Sequence, residues 1–200
     1  MTETLSRFTE DLAAVLPDVD ANTTGQYGAG IGSEDEPEQL RRLLAALREM
    51  DAWYEDLDRE VAYPDGAGRC DLVLPDGTPV EAKLLRYWRA NGDPEPHMYT
   101  HVFSPFATNT LLTDAQRVTD FAADDTGALL GLYYDRASDD PTTVSSLPDR
   151  YTPADLAAKV VADIEFWYDL DATVAAINRV VGLQHRVHKR AAVITWTIES

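Results

Sequence analysis

Lysine is nearly missing from this chain. Of 200 residues only three are lysine: Lys83, Lys159 and Lys189. Cysteine is scarcer still. Cys70 stands alone, which excludes an internal disulfide, and no CxxC or Cys/His spacing suited to zinc occurs. No apolar run reaches eighteen residues, so no segment reads as a membrane-spanning helix. The opening MTETLSRFTEDLAAVLPD is acidic and too polar for a signal peptide. These absences set the expectation of a cytoplasmic protein with no membrane partner. Basic charge is short overall. Seventeen Lys+Arg face 35 Asp+Glu, for a formal charge of −18. Composition therefore offers no support for nucleic-acid binding.

What is present is globular in character. The hydrophobic fraction is 44%, with four tryptophans, and periodic segments alternate with turns, unlike a disordered acidic chain. The acids are mostly aspartate, the bases mostly arginine, and both are spread along the chain. Lysine depletion joined to aspartate excess reads as the surface of a halophile's cytosolic protein, since heat adaptation enriches lysine and glutamate instead. At molar salt the Debye length falls to about 3 Å, so local groups, not the global field, decide what binds. A length of 200 residues suits one domain, 1–200, burying about two-thirds of its unfolded surface.

The hydrophobic period predicts a helix over 2–16, with Leu5, Phe8, Leu12 and Val15 on one face. ANTTGQYGAGIG, 21–32, is a glycine-rich loop that matches no phosphate-binding fingerprint. A second helix is expected over 33–50, with a capping box of Ser33 and Glu36, Pro37 in its first turn, and a stripe of Leu40, Leu43, Leu44, Leu47 and Met50. Glu36 precedes Leu40 by four residues and so points with the stripe. Strands follow at 59–63, 69–74 and 79–85, the last two joined by a PDG turn that signals a hairpin. Residues 113–124 read as a helix capped by Thr113, and 128–135 as a central strand. ASDDPTTVSSLPD is loop. Residues 152–180 read as helix capped by Thr152, broken near Asp169, and 191–198 as the last strand. The fold class is α/β, a mixed sheet covered by helices on both faces.

The hairpin carries the chemistry. Residues i and i+2 of a strand share a face, so Glu81 and Lys83 project together while Val80 and Ala82 face the core. Asp71, on the preceding strand, can sit opposite or diagonal to Glu81. Two carboxylates and a backbone carbonyl suit Mg²⁺, which keeps several waters and takes few protein ligands. Such an ion polarises a phosphodiester and helps generate hydroxide. Lys83 could stabilise the charged phosphorane or position the attacking water. A nearby cation and burial would lower its pKa toward a proton acceptor's. Glu-x-Lys is also a common exposed ion pair. Here, however, the charges are set into an apolar strand edge behind a helix with an inward acid.

A helix with an acid, a strand, then Asp71 and Glu81-Ala82-Lys83 across a hairpin resembles the PD-(D/E)XK nuclease superfamily, over roughly residues 33–134. The resemblance implies a restriction-endonuclease-like, three-layer core with a central mixed sheet. It implies catalytic Asp71, Glu81 and Lys83, and metal ligands Glu36, Asp71 and Glu81 for Mg²⁺, with Mn²⁺ as substitute. Glu34 or Glu38 could replace Glu36 as the helix acid. Cys70, not proline, precedes Asp71. The implied activity is hydrolysis of DNA phosphodiester bonds, in restriction, defence or repair, by a chain that could pair as a homodimer. Nucleic-acid contacts fall to Arg86, Arg89 and Gln116. The rival from another class is an α/β interaction protein, or a non-catalytic member, in which the trio is a structural ion network. His97 and His101 are spaced i, i+4, but Pro94 and Pro96 argue against the helix a zinc pair needs. HRVHKR, 185–190, is the one basic cluster. Ser104 and Cys70 lack a nucleophile's setting.

Overall fold

The computed structural model describes residues 1–25, 27–66, 68–121, 126–136 and 152–200. The chain runs α1 (Thr2–Ala21), a two-residue ladder of β1 (Thr24–Gly25) and β2 (Gly28–Ala29), α2 (Glu36–Met50), β3 (Asp58–Ala62), β4 (Arg69–Val73) and β5 (Pro79–Arg86). It continues α3 (His97–His101), α4 (Leu111–Thr119), β6 (Thr126–Asp135), α5 (Pro153–Tyr168), β7 (Asp171–Val181) and β8 (Arg190–Glu199). Six strands form one mixed sheet in the order β3-β4-β5-β6-β8-β7. Only β5 and β6 are parallel, and the α3–α4 segment supplies the crossover that parallel pairing requires.

Strand alternation divides the sheet between two cores. Leu72, Val80, Ala82, Ala128 and Leu130 face α1 and α2, while Leu85, Leu129, Ile194 and Trp196 face α4 and α5. The chain is therefore an α/β protein whose six-strand sheet is packed between helices. The continuous apolar run of β6 fits its central place, since its interior residues are buried on both faces.

Several boundaries depart from expectation. Helix α1 runs through Pro17 to Ala21. Proline removes one intrahelical donor, yet the extra turn is tied down because Asp20 accepts from Ile31 N–H at 2.9 Å and Gln184 N–H at 2.5 Å. The capping box of Ser33 and Glu36 does not form. Asp35 caps α2 by accepting from Glu38 N–H at 3.0 Å, while Ser33 donates to Gly30 O. Met50 is exposed at the end of its stripe. Thr110, not Thr113, caps α4, with Thr113 as the reciprocal partner of the box. The second helical half expected at 170–180 is strand β7. Asp169 ends α5 in the left-handed conformation, and Thr173, Val174, Ile177, Val180 and Val181 are β-branched residues that favour a pleated surface. Residues 97–101 form a helical turn despite the prolines, because Pro96 sits at its N-cap, where no donor is needed. The loop read at ASDDPTTVSSLPD and the last residues of the helix read to 124 lie outside the described residues.

Candidate active site at the open edge of β5

The β4/β5 hairpin is paired only at Leu72↔Val80 and Val73↔Pro79. Beyond Val80, β5 stays in register with β6 as far as Arg86 but has left β4. Alternate backbone groups on that edge then need other partners. Carboxylates supply them. Asp71 Oδ2 accepts from Ala82 N–H at 2.8 Å, and Glu36 Oε2 accepts from Leu84 N–H at 2.6 Å. The missing capping box is thus explained: the Glu36 side chain is committed to the sheet. Of the three candidate helix acids it is the one whose carboxylate bonds the β5 backbone among the described residues. Glu38 pairs with Arg41 and Arg42, and Glu34 offers its backbone carbonyl to Gln39.

The opening brings the predicted residues together. Asp71, Glu81 and Lys83 lie on the α4 side of the sheet, opposite the face that buries Leu72, Val80 and Ala82. Continuing the register sets Asp71 opposite Glu81. Asp71 lies close enough to act on the Glu81 carboxyl. Glu81 is 4% exposed and accepts from the Tyr63 hydroxyl at 2.5 Å. Burial, with Asp71 beside it, pushes its pKa up to about 8. Burial likewise lifts Glu36 to about 7, against the opposing pull of Lys83 and the Leu84 N–H.

Two partners were not legible in the sequence. Asp114 of α4, almost wholly buried, stands 2.9 Å from Lys83 Nζ and 3.7 Å from Arg117. Tyr63 carries the Arg117 guanidinium 4.7 Å above its ring. TDAQR reads as an ordinary amphipathic helix start, and a short acid in its first turn looks like an answer to the helix dipole. Burial works to lower the Lys83 pKa, but Asp114 and Glu36 outweigh burial, and the net shift is upward. These acidic neighbours favour the ammonium form of Lys83. Asp114 itself is raised by burial, against the pull of Lys83.

A cleft of about 400 Å³ borders the group, lined among others by Glu36, Lys83, Leu84, Arg86, Met98 and His101. A second cavity of about 300 Å³ shares Arg86 and adds Tyr27, Arg89 and Asn91. Arg86 is turned inward and donates to Gly32 O at 2.9 Å, and Arg89 pairs with Glu95 at 3.6 Å. Gln116 is exposed on α4. In HRVHKR, His185 and His188 are fully buried and stacked 4.7 Å apart, so they are packing groups. Burial pushes His188 down to about 3, with its Nε2 2.9 Å from Trp88 O. Cys70 is buried and pushed up to about 12 by burial and then Glu81, which makes it inert as a thiolate.

Oxygen donors of this kind suit a hard cation that keeps much of its water. The facing Asp71 and Glu81 carboxyls fit a two-carboxylate site. Among the described residues no three His, Cys, Asp or Glu side chains are grouped to hold a metal ion, so Glu36 does not complete a ready three-acid cage. Among the described residues, too, no helix is long and apolar enough to cross a membrane. Comparisons with family models, curated proteins and solved structures found no match to this chain.

Proposed function

We propose that the chain is a Mg²⁺-dependent nuclease hydrolysing DNA phosphodiester bonds, with a restriction-endonuclease-like core. One observation carries the reading. The β4/β5 ladder opens after two pairs, and the opened edge is filled by the carboxylates of Asp71 and Glu36, both near a partly buried lysine beside a cleft. Ordinary hairpins keep their ladder, and an exposed ion pair needs no such opening. The order α2, the β3-β4-β5 meander, α4 and β6 supports the same core.

In this reading Asp71 and Glu81 would hold the ion, which would supply polarisation of the phosphate and a more acidic water. Hydrolysis joins a water oxygen to phosphorus and breaks one phosphorus–oxygen ester bond. Lys83, a fixed ammonium on the cleft wall, places positive charge where the phosphoryl group gains negative charge. Glu36 keeps the edge of β5 open by occupying the Leu84 N–H. Arg86, through both cavities, and Arg89 line the path of the strand, and Mn²⁺ substitutes for Mg²⁺. One observation favours a second reading, a structural ion network, because Lys83 is already neutralised by Asp114. Plasmid cleavage in molar KCl with and without Mg²⁺ separates the two. A nuclease cleaves only with the ion, and a structural network cleaves in neither case.

A further inference from the structure

We propose that Asp114 is the positioning residue of this site, clamping the Lys83 ammonium in place and keeping it off the acids that would hold the cation. The inference rests on the nuclease reading above. Its basis is geometric. Glu36 and Asp71 both attract Lys83, and a lysine carries its charge on a flexible four-carbon stem. Left free, it would close onto them and neutralise the site it serves. Asp114, from α4, stands 2.9 Å from Lys83 Nζ and draws the ammonium toward the helix. The contact is an ion pair at hydrogen-bond distance, so it fixes the position of the charge.

The clamp is itself held. The Asp114 N–H donates to Thr110 O at 2.9 Å, within the cap of α4. Arg117 stands 3.7 Å from the other carboxylate oxygen and lies over Tyr63, which donates to Glu81. Lys83–Asp114–Arg117–Tyr63–Glu81 is therefore a chain of contacts joining the two charges of Glu-x-Lys by a route outside their strand. Gly68 leaves room for it, since a Cβ there would come within 2.7 Å of the Arg117 guanidinium. A buried ion pair is a poor stabiliser compared with apolar packing, so stability alone does not account for spending three charged side chains here.

The full-length protein with labelled lysine tests this by NMR, because three lysines give three resolvable side chains. The Lys83 methylene next to nitrogen should be rigid in the wild type and mobile in Asp114→Asn. In cleavage assays with plasmid DNA and Mg²⁺, Asp114→Asn should lower kcat about 10- to 100-fold with KM little changed. Asp114→Glu, which keeps the charge, should recover part of that loss. A folded Asp114→Asn protein with wild-type kcat, or with Lys83 still rigid, overturns the proposal. If Asp114→Asn does not fold, the wild-type spectrum decides, and a Lys83 as mobile as Lys159 overturns the clamp. Wild-type protein that cleaves no DNA removes the nuclease reading, while the Lys83 order still reports the clamp itself.

Discussion

Four acids, Glu36, Asp71, Glu81 and Asp114, sit around one lysine and one arginine, and that imbalance governs behaviour at the residue scale. Protons make up part of the deficit. Glu81 at about 8 and Glu36 at about 7 are raised above their ordinary value of 4.5. A raised carboxyl favours the folded state while it is neutral. That contribution is complete below about pH 4.5 and is lost as pH rises toward 7 for Glu36 and 8 for Glu81. Glu81→Gln should therefore melt higher than the wild type at pH 9, by an amount on the order of a few kcal/mol, and show little gain at pH 4.5. Thermal melts at the two pH values check this, and an equal gain at both would contradict it. Metal binding needs the ionised acids, so Mg²⁺ should bind more tightly from pH 6 to 9 and release protons. Titration calorimetry in buffers of different ionisation enthalpy measures that release, and Asp71→Asn should weaken it. Removing Lys83 leaves the buried Asp114 to the more distant Arg117, 3.7 Å away. Lys83→Ala should thus lose about 3–5 kcal/mol of stability, and adding Asp114→Asn should restore part of it without restoring cleavage. Urea denaturation of the single and double variants is the measurement.

At the scale of elements, the site exists because two elements break their simplest pattern. The hairpin stops pairing at Val80, and α2 takes its cap from Asp35, which frees Glu36. Asp35→Ala should cost about 1 kcal/mol, and urea denaturation would show it. Alternation and the PDG turn made the hairpin legible, and the spacing of Glu81 and Lys83 placed them on one face with Asp71. The helical stripe likewise pointed Glu36 toward the sheet. The opening of the ladder was not legible, because strand periodicity reports which face a residue takes and not whether its backbone is paired. Asp114 was hidden for a related reason: its importance lies in a contact across 31 positions of sequence. Strand β7 was missed because Ala175, Ala176 and Asn178 allow a helical period to be read through β-branched residues. Only the partner strand β8, which begins nine positions after β7 ends and is buried at its eight interior residues, decides the matter.

The whole molecule carries −18 over a single chain, and its acids repel one another when salt is low. Molar KCl shrinks the Debye length to about 3 Å and screens that repulsion, so the melting temperature should rise with salt. A flat or falling series of melts would count against an acidic surface adapted to salt. Under the nuclease proposal, the same screening would let a negative protein meet a DNA backbone, with attraction confined to local groups such as Arg86 and Arg89. The most direct test of the nuclease assignment is therefore made in that medium. Cleavage of plasmid DNA is followed in molar KCl with Mg²⁺, for the wild type and for a Lys83→Ala protein shown to be folded. A single preorganised donor is worth about 10²- to 10³-fold in rate, so the variant should be slower by that factor. Wild-type protein that leaves the DNA intact, or a folded Lys83→Ala that cuts as fast as the wild type, contradicts the assignment.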